Sequence, residues 1–182
     1  MESVDGKLNI GAEVRLSASK PREPSQVPFL RDTVKSVGVE WAFAGHSERR
    51  VISGESDENI NVQVLKLLET GMSCMLCVAE SDAEYEKSLA GAVCAIQLKK
   101  GLAGVSKEDM PRIAIAYEPA WAIRTGNVAT PEIAQDVHKT CRSVSPESVD
   151  GLKAQADIDG ALVGGALLDA KKFGRIINVE EV

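Results

Sequence analysis

Two ionisable side chains stand where short apolar runs stop. Residues 39–44 lead into Gly45-His46-Ser47-Glu48-Arg49-Arg50. Residues 113–117 lead into Glu118-Pro119-Ala120-Trp121-Ala122-Ile123-Arg124-Thr125-Gly126. If each run is a strand of a parallel sheet, His46 and Glu118 lie just past strand C-terminal ends, where such folds carry their working residues. A carboxylate there is a candidate general base, and an imidazole beside it can donate to or polarise a substrate oxygen. Both have plainer readings. His46 can simply satisfy loop backbone groups, and Glu118 can be the solvated carboxylate of an ordinary βα connection. Gly45 permits a tight turn or a close backbone approach. Arg49 and Arg50, flanked by Glu48 and Glu55, read first as a structural ion-pair network. The stretch 119–126 has Pro and Trp at one end and Thr-Gly at the other. That is the make-up of a mobile loop with stiff hinges, the kind that closes over a site and excludes water.

A third run, 161–163, ends in Gly164-Gly165. Successive glycine N–H groups at a strand end suit a phosphate, although most Gly-Gly pairs are simple turns. Glu80 follows a fourth run, 72–78, which contains Cys74 and Cys77. Strand residues three apart point to opposite faces, so this C-x-x-C is not expected to act as a dithiol or to start a zinc site. His138 falls mid-helix and reads as structural.

These groups need a frame, and strand-length runs alternate with helical patterns along the chain. Residues 8–16, 39–44, 72–78, 113–117 and 161–163 read as strands. Ile60, Val64, Leu67 and Leu68 recur at helical spacing, with Gly71 as the stop. Ser81 and Glu84 form a capping box, predicting a helix that buries Leu89, Val93 and Ile96 and ends before Gly101. Thr130-Pro131 opens another helix, and Phe173, Ile176 and Ile177 lie on the last one. Such alternation, with near-continuous apolar strands, predicts an α/β fold: a parallel sheet buried under helices. One interval breaks the rhythm. The helix from Thr130 reaches about Arg142, and Ser145-Pro146-Glu147 starts another, leaving no room for the strand that a βαβ unit requires between them.

Composition narrows the function classes. A chain of 182 residues suits a single domain and is short for a closed (β/α)8 barrel, which takes about 250 residues. The net charge is −6 with no basic block, which argues against nucleic acid as a partner. No run approaches a membrane span, and residues 1–11 lack the apolar core of a secretory signal. Four cysteines in such a chain suggest free thiols in a reducing, cytoplasmic setting.

Taken together, four strings closely resemble the triosephosphate isomerase family, in that family's order. They are Ala44-Gly45-His46-Ser47-Glu48-Arg49-Arg50, Gly54-Glu55-Ser56, Ala116-Tyr117-Glu118-Pro119-Ala120-Trp121-Ala122-Ile123 and Asp159-Gly160-Ala161-Leu162-Val163-Gly164-Gly165-Ala166. The resemblance implies a cofactor-free interconversion of glyceraldehyde 3-phosphate and dihydroxyacetone phosphate. Glu118 is then the base and His46 the neutral electrophile, a division of labour for which this family is a standard illustration. Ile123, Arg124, Thr125 and Gly126 fall in the closing lid. Gly164, Gly165 and Ser143 fall at the phosphate site. The resemblance also implies a homodimer.

The chain departs from the family pattern in several places. No Asn-x-Lys strand with its substrate-binding lysine is found, so Glu48 stands without the cation that the family places near it. Residues 8–16 align best with the third strand. The interface loop is replaced by residues 19–26, the seventh strand and its Tyr-Gly-Gly are absent, and Arg124 replaces a lid glycine. The expectation is an incomplete (β/α)8 barrel forming one domain over 1–182. It would keep about five of eight strands, the third to sixth and the eighth. A non-catalytic relative and a phosphate-binding βα module are the alternative readings.

Overall fold

The computed structural model describes residues 11–12, 39–119 and 168–177. Within them four strands form one parallel sheet in chain order: β1 (Gly11–Ala12), β2 (Trp41–Ala44), β3 (Ser73–Val78) and β4 (Ile113–Tyr117). The helices are α1 (Ser47–Ser53), α2 (Asp57–Glu69), α3 (Asp82–Tyr85), α4 (Ala90–Gly101) and α5 (Ala170–Ile177). Parallel neighbours need crossovers, and here helices supply them between β2 and β3 and between β3 and β4. This is the α/β arrangement expected. The helix read from Thr130 to about Arg142, the strand read at 161–163 and the five-strand count concern segments outside the described residues.

The register levels the strand ends. Ala44 pairs with Leu76, and Val78 pairs with Tyr117. The residues that follow β2 and β4 therefore emerge at the same edge of the sheet. β2 begins at Trp41 and β3 at Ser73, one or two residues inside the expected runs.

α2 packs as its sequence predicts. Ile60, Val64, Leu67 and Leu68 are all buried, forming one stripe against the sheet. The Ser56 side chain accepts from the Asn59 N–H at 3.3 Å and starts the helix, and Gly71, at φ +77°, turns the chain into β3.

The next helical segment corrects the expectation. The Ser81–Glu84 capping box is present, but its helix stops at Tyr85. Ser88 takes a left-handed φ of 57°, which ends the run, and α4 restarts at Ala90. The buried face also differs. Leu89 and Ile96 are exposed, while Ala90, Cys94 and Gly101 are buried. Small residues win that face because the helix lies close to the sheet: a Cβ on Gly101 would sit 3.0 Å from a Leu76 methyl. The helix thus runs through Gly101 rather than ending before it. Among the described residues no helix is long and apolar enough to cross a membrane.

Candidate active site

His46 is the N-cap residue of α1. Its carbonyl accepts the N–H groups of Arg49 and Arg50 at 2.9 and 3.1 Å, while its Nδ1 accepts the Glu48 N–H at 3.3 Å. An Nδ1 that accepts carries a lone pair, so the proton of the neutral ring sits on Nε2. Nε2 faces Glu118, 3.2 Å from its Oε1.

Glu118 reaches this position through the sheet. Its N–H donates to the Val78 carbonyl at 2.9 Å, carrying the β3–β4 ladder one step beyond Tyr117. The residue is only 3% exposed. A buried carboxylate is costly unless donors meet it, and here Oε2 accepts the Ser47 N–H at 2.6 Å. The first-turn amide of α1 and the imidazole beside it thus hold one carboxylate from both sides. Two residues from separate strand ends, 72 positions apart in the chain, form a single acid–base pair.

The surroundings stiffen this pair. Tyr117, the residue before Glu118, is fully buried and points to the other side of the strand. Its hydroxyl donates to Glu80 Oε1 at 2.7 Å. Gln97 grips the peptide just before Glu80, accepting from Ala79 N–H at 3.0 Å and donating to Ala79 O at 2.7 Å. Cys77 lies against Glu118. Burial pushes its thiol well above the usual range, and the Glu118 charge adds to that effect. Cys74 is pushed up to about 12 by burial alone. Cys74, Cys77 and Cys94 are free and buried, and no group of three or more potential metal ligands exists among the described residues.

The arginine pair divides its work. Arg49 pairs with Glu55, its Nε donating at 3.0 Å, and Gln63 joins the same carboxylate at 3.1 Å. Arg50 pairs with Asp57 at 2.7 Å, and Lys100 stands 3.6 Å from that aspartate. Glu48 is half-buried in the first turn of α1, where its N–H serves His46. Ile123, Arg124, Thr125, Gly126, Ser143, Gly164 and Gly165 lie outside the described residues.

Sequence reading singled out His46 and Glu118, which meet here. It missed the Ser47 amide, because a backbone N–H leaves no mark in residue type. It also missed Tyr117 and Gln97. A signal for the first existed: a carboxylate at Glu80, just past a largely apolar strand, needs a buried donor.

The triosephosphate isomerase family model matches residues 29–145 and 142–180. The chain is 43% identical to the triosephosphate isomerase of Fusobacterium nucleatum over 196 residues, covering 94% of this chain and 78% of that protein. It is 42% identical to the triosephosphate isomerase of Thermoanaerobacter pseudethanolicus, covering 80% of this chain and 67% of the relative. Against that of Carboxydothermus hydrogenoformans the identity is 41% over 192 residues, with 92% and 76% covered. Two of these alignments are longer than the 182 residues of the chain, so those relatives carry residues inside the aligned span that are missing here. The family match also falls into two segments that meet at 142–145.

Proposed function

The chain belongs to the triosephosphate isomerase family, and from that premise we propose that it interconverts glyceraldehyde 3-phosphate and dihydroxyacetone phosphate, with Glu118 and His46 as the reacting pair. The observation that carries this reading is their meeting at one sheet edge, Nε2 3.2 Å from Oε1, with Nδ1 engaged by the Glu48 N–H.

The reaction moves one proton between neighbouring carbons and one between their oxygens. The Glu118 carboxylate removes the proton from the carbon beside the carbonyl. His46 Nε2–H donates to the carbonyl oxygen as charge develops there, stabilising an enediolate, and the same nitrogen gives its proton to that oxygen and takes one from the neighbouring hydroxyl, so the second proton changes oxygens. Glu118 then returns its proton to the adjacent carbon. In the state described here both carboxylate oxygens are engaged, Oε2 by the Ser47 N–H and Oε1 by the imidazole. To act as a base, Glu118 exchanges those partners for substrate. Substrate entering between His46 and Glu118 takes over the Nε2–H and frees the carboxylate. The lid at 119–126, with Ile123, Arg124, Thr125 and Gly126, closes over the reacting carbons and excludes water. Ser143 and the N–H groups of Gly164 and Gly165 receive the phosphate. The setting is cytoplasmic, and the protein works as a homodimer with its interface loop altered at 19–26.

A second reading has one observation in its favour. The family match falls into two segments that overlap at 142–145, the interval where the sequence pattern leads us to expect two helix starts without a strand between them. On that reading the barrel lacks its seventh strand and keeps the third to sixth and the eighth. The chain then retains the catalytic pair without a complete phosphate site, as a non-catalytic relative. A coupled assay on the purified 182-residue protein separates the two. Turnover that Glu118→Gln abolishes supports the isomerase. A folded chain without turnover refutes it, and one that also binds 2-phosphoglycolate favours a phosphate-binding βα module instead.

A further inference from the structure

The β2–β3 ladder ends at Ala44 and Leu76. One step further along the same register, Gly45 and Cys77 face each other, each offering a carbonyl. Two acceptors cannot bond to each other, and Arg50 fills the gap. Its Nε donates to Gly45 O at 2.8 Å and its Nη2 to Cys77 O at 3.0 Å. These N–H groups belong to one edge of the guanidinium, so a single planar fork spans both strands. The remaining nitrogen, Nη1, donates to Asp57 Oδ1 at 2.7 Å, anchoring the fork to the first turn of α2. Packing leaves no slack: a Cβ on Gly45 would lie 2.9 Å from Cys77 O and 3.0 Å from Arg50 Nη2.

His46 follows Gly45 directly. On the other side of β3, Glu118 N–H donates to Val78 O, one residue after Cys77. The distance between His46 and Glu118 is thus built from two links across β3, one of them backbone and the other Arg50. We propose that Arg50 is a positioning residue for the isomerisation, an artificial rung that fixes how far His46 stands from Glu118. The inference rests on the isomerase reading for its catalytic meaning, while its geometric content does not. Lysine cannot replace the rung, because an ammonium is a point donor without the fixed fork.

The test compares full-length Arg50→Lys, Arg50→Met and Asp57→Asn with the parent. The Ser47 amide reports the register directly, since it donates to Glu118 across the site. Amide exchange followed by NMR is expected to show Ser47 protection falling by about tenfold or more in both Arg50 variants, and unchanged in Asp57→Asn. In the isomerase assay the Arg50 variants lose about 10- to 100-fold in kcat, a displacement effect, with KM within about threefold of the parent. Parent-like Ser47 protection in Arg50→Lys overturns the proposal. So does an Asp57→Asn variant that reproduces the loss, which would make Arg50 a fold-stabilising ion pair only. If Arg50→Met does not fold, Arg50→Lys decides. If the parent has no turnover, the proposed function fails, and Ser47 exchange still judges Arg50.

Discussion

Three glycine-to-alanine substitutions grade the strain at the site against the rest of the molecule. At Gly91, inside α4, an added Cβ meets nothing within 4 Å. Alanine there is expected to stabilise by about 0.5 kcal/mol, through helix propensity alone. Gly54 has φ +63° and open space around it, so alanine bears only the left-handed penalty of about 1–2 kcal/mol. Gly45, at φ +78°, bears the same penalty. Its Cβ would also press within 2.9 Å of the Cys77 carbonyl, 3.0 Å of Arg50 and 3.2 Å of Ile60. Two of these neighbours cannot yield cheaply, since one is strand backbone and another is held by three hydrogen bonds. Overpacking of this kind adds about 1–3 kcal/mol, for a total of about 2–5 kcal/mol. Urea unfolding followed by far-ultraviolet circular dichroism measures all three on the same chain. Gly45→Ala falling within about 0.5 kcal/mol of Gly54→Ala would refute the reasoning, because the contact contribution would then be absent.

Glu118→Gln is expected to lower turnover by at least about 100-fold while the chain stays folded, since the amide oxygen can still accept from Ser47; the coupled assay and circular dichroism check the two halves. Tyr117→Phe removes a 2.7 Å hydrogen bond to a buried carboxyl group and is expected to destabilise by about 1–3 kcal/mol in urea titrations. For Cys74 the folded thiol holds its proton up to about pH 12, against an ordinary thiol value of 9.0. The folded pKa is the higher one, so the stabilisation is fully present below pH 9 and is lost as pH rises towards 12. The unfolding free energy should fall by up to about 1.4 kcal/mol per pH unit for this thiol in that window, and Cys77 should act in the same direction. Iodoacetamide at pH 8, read by mass spectrometry, should leave Cys74 and Cys77 unmodified until urea unfolds the chain.

His46 and Glu118 were legible because their neighbours in the chain declare a strand end. Apolar runs stop at Gly45 and at Glu118-Pro119, and registers in parallel sheets level such ends. The stripe Ile60, Val64, Leu67 and Leu68 was legible for a similar reason, since its spacing fits one helix face and all four are buried. Leu89 and Ile96 misled for a physical reason. Periodicity counts apolar residues, whereas close packing of α4 on Leu76 selects small ones, and Gly101 and Cys94 carry that contact. The break at Ser88 is likewise invisible in a pattern that has no signature for a left-handed serine. Within the site, residue type announces side chains only. The Ser47 N–H and the Gly45 and Cys77 carbonyls belong to the backbone, and only three-dimensional register shows what they face.

The hydrogen bond from Ser47 to Glu118 spans 71 residues of sequence. Closing a loop of that length is favourable only after β2, β3 and β4 have found one another. The contact that holds the Glu118 carboxylate in place is therefore among the last to form during folding and among the first to report that the three strands have assembled. Turnover, and protection of that one amide, would rise together in a refolding experiment, later than the helical signal of α2 and α4. Chemistry at this site then serves as a clock for non-local sheet assembly, with its own hand set by the slowest strand to arrive.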